Sequence, residues 1–285
     1  MKATITKIYT ANSDFQYIET LQRNRTKRNR AREFVVEGVR AINQAVLNHW
    51  TINALVYTRD RRLSDWAEGV IEHAGAKVHF VLSTPLMEKI SQKEDTSELI
   101  AVAVMPDDEL ARIPERENFL VVVLDRPTNS GNLGTVIRSC DALRVDGVII
   151  TGHSVDLYDP ETIRATTGSF FSLPAVRLPS YKELIPWFER LRQRLDGFQI
   201  IGTSARAEIP IQSYDFTAPT ILLVGNESHG LSENARALCD AMVTIPMYGS
   251  ATSLNVACAT SILLYEVDRQ RRNFEGKRKI TLDKI

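Results

Sequence analysis

The segment FLVVVLD at 119–125 most constrains the fold, because it is apolar almost throughout and runs into a polar loop that contains glycine. A strand that is hydrophobic on both faces is typical of a parallel sheet covered by helices on each side. Helical patterns separate this run from further strand-like runs. They are GVIITG (147–152), AVRLP (175–179), FQIIGT (198–203), TILLVG (220–225) and MVTIPM (242–247). The pattern predicts an α/β domain with about six strands.

A smaller α/β unit is predicted ahead of this domain. Its strand candidates alternate with short amphipathic helical patterns: FVVEG (34–38), TINALVYT (51–58), KVHFVL (77–82) and ELIAVAVMP (98–106). The polar segment DDELARIPEREN that follows is typical of a linker. The predicted organisation is therefore a front domain at 1–107, a linker at 108–118 and a second domain at 119–285.

Charge is balanced over the whole chain but unevenly distributed along it. Lysine plus arginine and aspartate plus glutamate each number 35, so the net charge is zero, a balance that by itself argues mildly against a nucleic-acid partner. The stretch 22–32, QRNRTKRNRAR, has six cations and no acid, and 266–285 has seven cations and four acids. Such a stretch is either a phosphate-binding surface or a solvated helix face. Neutrality of the whole chain is compatible with a local surface for nucleic acid.

Several functional classes are excluded by what the sequence lacks. No run of about 18 apolar residues is present, so we expect no membrane span, and the N-terminus has no apolar core of a secretory signal. The three cysteines form no CxxC pair, which favours a reducing, cytoplasmic compartment. The five histidines are scattered, HExxH and GxxxxGK[ST] are missing, and no metal site is expected.

Three polar loops follow predicted strands at the places where open α/β sheets bind ligands. The first, 124–142, carries Asn132 and Arg138 about 1.7 helical turns apart. Arg138 follows two apolar residues, so we expect it to be partly enclosed and paired with an anion, either a phosphate or a carboxylate such as Asp141. The glycine spacing GxxG differs from the dinucleotide fingerprint GxGxxG, which disfavours an oxidoreductase.

The second and third loops also combine glycine with polar side chains. Loop 222–235 carries Glu227, which is either a site residue or part of a solvated turn. In the third, 243–266, Ser253 is predicted to cap a helix whose first turn contains Asn255, and capping alone could explain both residues. The helix is apolar from 254 to 264, so it is buried or packs on another subunit.

The three loops in this order resemble the motifs of the SpoU family of RNA ribose 2′-O-methyltransferases, also called the TrmH family, within the SPOUT superfamily. Asn132 and Arg138 match the first motif, Glu227 the second, and Ser253, Leu254 and Asn255 the SLN core of the third. Residues 17–48 resemble the start of the L30e-like domain that many members carry in front. One departure is Ser130, where proline is frequent in the family.

The resemblance implies a fold, a cofactor and an assembly. It implies an N-terminal L30e-like α/β domain, a C-terminal SPOUT α/β domain tied in a trefoil knot, and a homodimer formed through the C-terminal domain and its long last helix. The implied cofactor is S-adenosylmethionine, held by loops that follow three strands. Carried over to this sequence, its binding residues are Thr203, Ser204, Ala205, Gly225, Asn226, Ile245, Met247, Ser253 and Leu254.

The resemblance also implies roles in catalysis and RNA binding. Arg138 would act as a general base helped by a phosphate, or would clamp the target phosphate and orient the 2′-hydroxyl; we favour the clamp. Hydrogen bonds from four further residues would fix Arg138, the ribose and the cofactor: Asn132, Glu227, Ser253 and Asn255. The expected RNA contacts are Arg23, Arg25, Lys27, Arg28, Arg30 and Arg32. The expected substrate is 23S ribosomal RNA, with transfer RNA or an inactive RNA-binding homologue as alternatives.

Overall fold

The computed structural model describes residues 3–93 and 95–282, with side chains described up to residue 273. The chain forms two units. The first contains Met1–Asp107 and Asp156–Ser172, and the second contains Asp108–Val155 and Leu173–Ile285. The segment Asp156–Ser172 thus departs from the continuous division that the sequence predicts. No described helix has the length and apolar character needed to cross a membrane.

The first unit is built on a mixed five-stranded sheet in the order β1-β4-β3-β5-β2. Strands β1, β4 and β3 are parallel, and β5 is antiparallel to both β3 and β2. The four strands predicted for this region are confirmed, whereas the edge strand β1 was not predicted. Its first two residues face solvent, so it lacks the apolar character of the others. The strands are β1 (Thr4–Ile8), β2 (Glu33–Glu37), β3 (Ile52–Tyr57), β4 (Val78–Leu82) and β5 (Leu99–Val104).

The described residues of the first unit form six α-helices. Asparagine side chains cap the first two, since Asn12 accepts a hydrogen bond from the Phe15 amide and Asn24 accepts one from the Lys27 amide. One core cluster packs α1 and α5 against the sheet through Phe15, Ile18, Met87 and their neighbours. The helices are α1 (Ser13–Arg23), α2 (Arg25–Ala31), α3 (Val39–Leu47), α4 (Asp65–His73), α5 (Thr84–Ile90) and α7 (Pro160–Ala165).

An aromatic cluster joins Asp156–Ser172 to the rest of the first unit. The Phe34 ring on β2 lies 4.9 Å from Tyr158 and 5.9 Å from Phe170, measured between ring centroids. The Trp50 indole N–H donates to the Phe171 carbonyl oxygen at 2.9 Å. Because Phe34, Tyr158 and Phe170 are buried, this segment supplies part of the apolar core.

The second unit is built on a seven-stranded parallel sheet in the order β10-β12-β9-β11-β6-β7-β8. The six predicted strands are present, and the two-residue edge strand β10 adds a seventh. Every residue of β6, β7 and β11 is buried, as their apolar sequences predict. The strands are β6 (Leu120–Asp125), β7 (Gly147–Thr151), β8 (Ala175–Leu178), β9 (Gln199–Thr203), β10 (Ile209–Pro210), β11 (Thr220–Val224) and β12 (Ala241–Thr244).

Helices of the second unit occur where the sequence places them, with shifted ends. In the segment 181–195 a 3-10 turn precedes α8, because Pro186 lacks the amide that an interior helical position needs. The last helix begins at Val256, three residues after the predicted cap Ser253. The basic C-terminal segment 266–285 lies partly outside the described residues. The helices are α6 (Ser130–Ala142), α8 (Ile185–Arg194), α9 (Glu233–Arg236) and α10 (Val256–Leu282).

Candidate active site

The three motif loops meet at one edge of the second unit's sheet. Strand β11 lies between β6 and β9, and β9 lies next to β12. All four run parallel and end at nearly the same level, since Val224 is in register with Leu124 and Thr203 with Val243. The loops that follow these strands are therefore neighbours, although the loop after β6 is about a hundred residues from the loop after β11 in sequence.

The first motif loop turns into α6 through a local cap. The Asn129 side chain accepts a hydrogen bond from the Asn132 amide at 2.8 Å, which fixes the first turn of the helix. Asn132 is partly buried in that turn, and Arg138 lies about a turn and a half further along. Residues 133, 136 and 137 of α6 are buried against the sheet, so the helix is held firmly.

The second motif forms a tight turn organised by Asn226. Its backbone pairs with Gly230 in both directions, at 3.1 and 2.9 Å. Its side-chain oxygen accepts hydrogen bonds from the amides of Ser228 and His229, and its side-chain nitrogen donates to the Arg126 carbonyl oxygen at 2.7 Å. This turn presents Glu227 toward the first motif. His229 is exposed and lies in the turn.

A chain of side-chain hydrogen bonds joins all three motifs. One Glu227 carboxylate oxygen accepts from the Thr128 hydroxyl at 2.9 Å, and the other accepts from the Asn132 amide group at 3.3 Å. Asn255 in turn donates to the Asn132 oxygen at 3.0 Å. Burial alone would raise the pKa of Glu227, but its hydrogen bonds outweigh burial and the pKa is lowered. The predicted set Asn132, Glu227 and Asn255 is thus brought together.

Asn255, rather than Ser253, caps the last helix. The Asn255 side-chain oxygen accepts a hydrogen bond from the Ala257 amide at 2.9 Å, and its backbone carbonyl accepts one from Ala259. The prediction that Ser253 is the cap was wrong, because α10 begins at Val256 and leaves Ser253 exposed in the preceding loop. Asn255 therefore stabilises the helix and binds Asn132 at the same time.

Arg138 is exposed, which corrects the expectation that it is partly enclosed. The apolar residues before it face the sheet, and the helical turn carries Arg138 to the other side of α6. Arg138 makes no hydrogen bond or ion pair within the part of the chain that the structure describes. The guanidinium is accordingly available to an external anion.

The residues carried over for cofactor binding lie in loops at the same edge. Five of these residues, in or after β9, β11 and β12, are half-buried: Thr203, Ser204, Gly225, Ile245 and Met247. A Cβ atom placed on Gly225 would lie 2.3 Å from backbone atoms of Gly230 and Leu231, so only glycine allows this close approach. Backbone groups and hydroxyls of this kind suit a polar nucleoside ligand. Ala205, Ser253 and Leu254 are exposed in their loops.

The cations of the basic stretch 22–32 fall into two groups, those that are exposed and those that are buried or half-buried and bind acids of the first unit. Arg23, Arg25, Lys27 and Arg30 are exposed. Arg32 ends α2 and donates to the Asp107 carboxylate at 2.7 Å.

Arg28 has to be removed from the set of candidate RNA contacts. Its side chain is 2% exposed and donates to Asp156 at 2.7 and 3.0 Å, to Asp159 at 3.1 Å, and to the carbonyl oxygens of Leu21 and Gln22. The physical reason is that the α2 turn directs this one cation inward, where two acids from a distant segment neutralise it.

Sequence reasoning missed two residues at the site. Thr128 binds Glu227 through both its amide and its hydroxyl, at 3.3 and 2.9 Å. Asp125, at the end of β6, is buried beneath the motif loops. An aspartate that ends an otherwise apolar strand is the signal that could have drawn attention to it. Among the described residues, no group of His, Cys, Asp or Glu is arranged to hold a metal ion.

Comparison with known proteins agrees with the geometry of the site. Residues 119–265 match the model of the SpoU rRNA methylase family, and residues 12–101 match the SpoU L30e-like domain. The chain belongs to the SpoU rRNA methylase family. One relative, the 23S rRNA (uridine(2479)-2′-O)-methyltransferase of Streptomyces viridochromogenes, is 46% identical over 93% of this chain and 92% of that protein. The guanosine(2553) enzyme RlmP of Bacillus subtilis is 28% identical over 89% and 94%.

Solved structures of family members share the fold of this chain. The SpoU methyltransferase AviRb from Streptomyces viridochromogenes, in complex with AdoMet, superposes with a TM-score of 0.86 at 46% identity and covers 91% of this chain and 98% of that one. An AdoMet-bound rRNA methyltransferase from Sinorhizobium meliloti gives 0.80 at 30% identity, with 93% and 98% covered. The predicted SPOUT fold class is confirmed, and the oxidoreductase alternative is dropped.

Proposed function

We propose that this SpoU family member transfers a methyl group from S-adenosylmethionine to a ribose 2′-hydroxyl of 23S ribosomal RNA. The observation that carries the proposal is the hydrogen-bonded chain of Glu227, Asn132 and Asn255. Three distant segments converge to build it at the ligand-binding edge of a parallel sheet. The relative from Streptomyces viridochromogenes, which is named for this reaction on 23S rRNA, supports the substrate class.

Arg138 is the residue that we assign to the substrate phosphate. It is exposed and lies on the same helix as Asn132, so a phosphate next to the target ribose can reach it. A guanidinium binds two phosphate oxygens at once and thereby fixes the orientation of the neighbouring 2′-hydroxyl. Positioning of this kind is the main contribution that a protein makes to a displacement at a methyl carbon. A general-base role would require Arg138 to give up its own proton first.

The loops after β9, β11 and β12 would hold the cofactor. Thr203, Ser204, Ala205, Gly225, Asn226, Ile245 and Met247, with Ser253 and Leu254, are the residues that we assign to it. The bound cofactor supplies a methyl group on a positively charged sulfur. The hydrogen bonds among Glu227, Asn132 and Asn255 would hold the first and third motif loops beside the cofactor. As the bond between the ribose oxygen and the methyl carbon forms, the bond from that carbon to sulfur would break and the 2′-hydroxyl proton would pass to a base or to solvent. The predicted trefoil knot would lie in the same part of the chain.

The first unit would bind the RNA through its exposed cations. Lys27 and Arg30 line an open groove between α1 and α2, together with Gln16, Tyr17 and Thr20. Cations beside an aromatic ring and amide groups suit an RNA strand, whose phosphates and bases need both kinds of contact. Arg23 and Arg25 extend the basic surface along the same helices. Binding should therefore weaken strongly with added salt.

A homodimer formed through the second unit is part of the proposal. Ile262 and Tyr265 on α10 are 40% and 57% exposed, and Tyr248 in the loop before it is 94% exposed. Large apolar side chains clustered on one segment are typical of a subunit interface. Replacing Ile262 and Tyr265 with glutamate should convert a dimer into a monomer in light scattering. A wild-type chain that is already monomeric would contradict this part. A cytoplasmic location is also part of the proposal, because the proposed substrate is ribosomal RNA.

The activity can be tested with purified protein, labelled S-adenosylmethionine and two RNA substrates, 23S rRNA and total transfer RNA. We expect label in 23S rRNA that survives alkaline hydrolysis as a resistant dinucleotide, because a 2′-O-methyl group blocks cleavage of the next bond. Replacing the mapped target with its 2′-deoxynucleotide should abolish the label. Label in transfer RNA instead would identify the alternative substrate, and cofactor binding without any label would indicate an inactive RNA-binding homologue.

A further inference from the structure

Asp125 is a buried carboxylate to which the mechanism above assigns no role. It ends β6 and is 2% exposed. Its Oδ1 accepts from the Arg126 Nε at 2.9 Å and from the Tyr181 hydroxyl at 3.0 Å. Its Oδ2 accepts from the Ser232 amide at 2.9 Å and from Arg126 at 3.1 Å. A buried carboxylate that accepts four hydrogen bonds is held in one orientation.

One part of this hydrogen-bond network holds the C-terminal end of the turn between Asn226 and Ser232, which carries Glu227 (the Glu227 turn). Ser232 begins α9, and its hydroxyl caps the helix by accepting from the Ala235 amide at 3.3 Å. The same hydroxyl lies 2.7 Å from the Tyr181 oxygen. Because the Tyr181 proton goes to Asp125, the Ser232 proton goes to Tyr181. Asp125 therefore binds Ser232 twice, through its amide and through Tyr181.

The other part of the network holds the N-terminal end of the Glu227 turn. Arg126 has a φ of 53°, in the left-handed region that residues with a side chain rarely adopt. Its guanidinium folds back onto Asp125, and its carbonyl oxygen accepts the Asn226 side chain at 2.7 Å. The bidentate pair compensates for the cost of this backbone conformation. The direction of the Arg126 carbonyl then fixes Asn226.

We propose that Asp125 is a positioning residue that holds the turn between Asn226 and Ser232 at both ends and so places Glu227 against Asn132. It acts on the turn through Arg126, Tyr181 and Ser232. Its role in the rate rests on the proposed methyl transfer, whereas its role in holding the turn does not. Burial opposes the charge on Asp125, but the bonds from Arg126, Ser232 and Tyr181 outweigh it and the pKa is lowered, which agrees with an ionised carboxylate at neutral pH.

Asp146 provides a matched control in the same sheet. It is 6% exposed and accepts the Leu120 amide at 2.9 Å, at the opposite end of β6 from Asp125. Arg116 lies 3.4 Å from its other oxygen. Both acids are thus buried, bound to a backbone amide and paired with an arginine, but only Asp125 contacts residues that flank the Glu227 turn.

The test compares Asp125→Asn with Asp146→Asn in the full-length protein. Three quantities are measured: the single-turnover methylation rate, the RNA dissociation constant, and hydrogen exchange at the individual amides of residues 228–230, none of which bonds to Asp125. For Asp125→Asn we expect a rate lower by about 10- to 100-fold. Exchange at 228–230 should be at least about tenfold faster, with RNA affinity within about twofold. Asp146→Asn should match the wild type in all three.

Equal rates in the two variants, or unchanged exchange at 228–230 in Asp125→Asn, would overturn the proposal. If Asp125→Asn does not fold, Tyr181→Phe takes its place, because it removes one donor and leaves the carboxylate intact; a rate about threefold lower is then expected, and an unchanged rate contradicts the proposal. A wild-type protein that methylates no RNA would refute the proposed function alone. The exchange measurements would still decide whether Asp125 holds the turn.

Discussion

Arg28 of the first unit and Arg138 of the second are both arginines on helices, and the structure reverses what their neighbours in sequence suggest. Arg28 lies in the most cationic stretch of the chain, yet it is buried and bound to Asp156 and Asp159. Arg138 follows two apolar residues, yet it is exposed and has no partner within the described part of the chain. Local composition predicted neither environment. The helix face on which each arginine lies decided its exposure. For Arg28, acids from a segment far along the chain also decided its partners.

The contrast separates two uses of the same side chain. A guanidinium that is fully satisfied inside the protein stabilises the fold and has nothing left to offer a ligand. One that is left in solvent next to a hydrogen-bonded site contributes little to stability and is available to a phosphate. Substitutions at the two positions should therefore change different quantities, and the predictions below test this difference.

The largest effect is expected at Arg138. Arg138→Ala should lower the single-turnover rate by at least about 1,000-fold, or ~4 kcal/mol, because the phosphate clamp is lost in the transition state. The unfolding midpoint and cofactor affinity, measured by calorimetry, should stay close to wild type. Arg144→Ala, which removes an exposed arginine just beyond the same helix, is the control and should retain the rate. Near wild-type turnover in Arg138→Ala would show that the assignment is wrong.

Arg28→Ala should affect stability instead. Removing it leaves two acids facing each other in the first unit, one of them buried, and the expected loss is about 3 kcal/mol in urea unfolding. Arg23→Ala is the control, since Arg23 is exposed and forms only a surface pair with Glu19; its effect should stay below about 0.5 kcal/mol. If the two variants lose equal stability but Arg28→Ala alone loses RNA affinity, the inward role of Arg28 is refuted.

The buried acids Asp125 and Asp146 extend the comparison to pH dependence. Their hydrogen-bond and charge partners, and not burial alone, decide whether the pKa of each acid is lowered or raised. Asp125 has a lowered pKa, so its stabilisation is present above the unfolded value near ~3.9 and is lost as pH falls through the folded value. Burial raises the pKa of Asp146 despite the Leu120 amide and nearby arginines, so the folded protein gains relative stability as Asp146 takes up its proton on acidification.

This difference is measurable in the asparagine variants by urea unfolding between pH 7 and pH 3. The stability deficit of Asp125→Asn should be about 2 kcal/mol at pH 7 and should shrink as the pH falls below ~4. The deficit of Asp146→Asn should be smaller at pH 7 and should grow on acidification. Deficits that change in the same direction would contradict the assignment of the two environments.

The smallest effect is expected for the exposed cations around Arg28. Replacing both Lys27 and Arg30 with glutamate should weaken RNA binding by about tenfold at moderate salt and reduce the salt slope by between one and two. Cofactor affinity should not change. The control replaces Lys7 and Lys77, exposed lysines elsewhere in the first unit, and alters net charge equally. A matching loss in the control would mean that total charge, and not this groove, governs binding.

The sequence by itself determined the class of fold and the six main strands of the second sheet, because buried parallel strands need long apolar runs. It also predicted that the three motif loops share one sheet edge, since the carboxyl ends of parallel strands meet there, whereas the choice of Asn132, Glu227 and Asn255 within those loops came from the resemblance to the SpoU motifs. Only the tertiary structure decided that Asn255 caps the last helix, that Arg28 faces inward, that Arg138 faces solvent, and that Asp156–Ser172 packs with the first unit. Each of these depends on hydrogen bonds, packing or ion pairs between atoms that the folded backbone places together, and such pairings leave no periodic signal in a single chain.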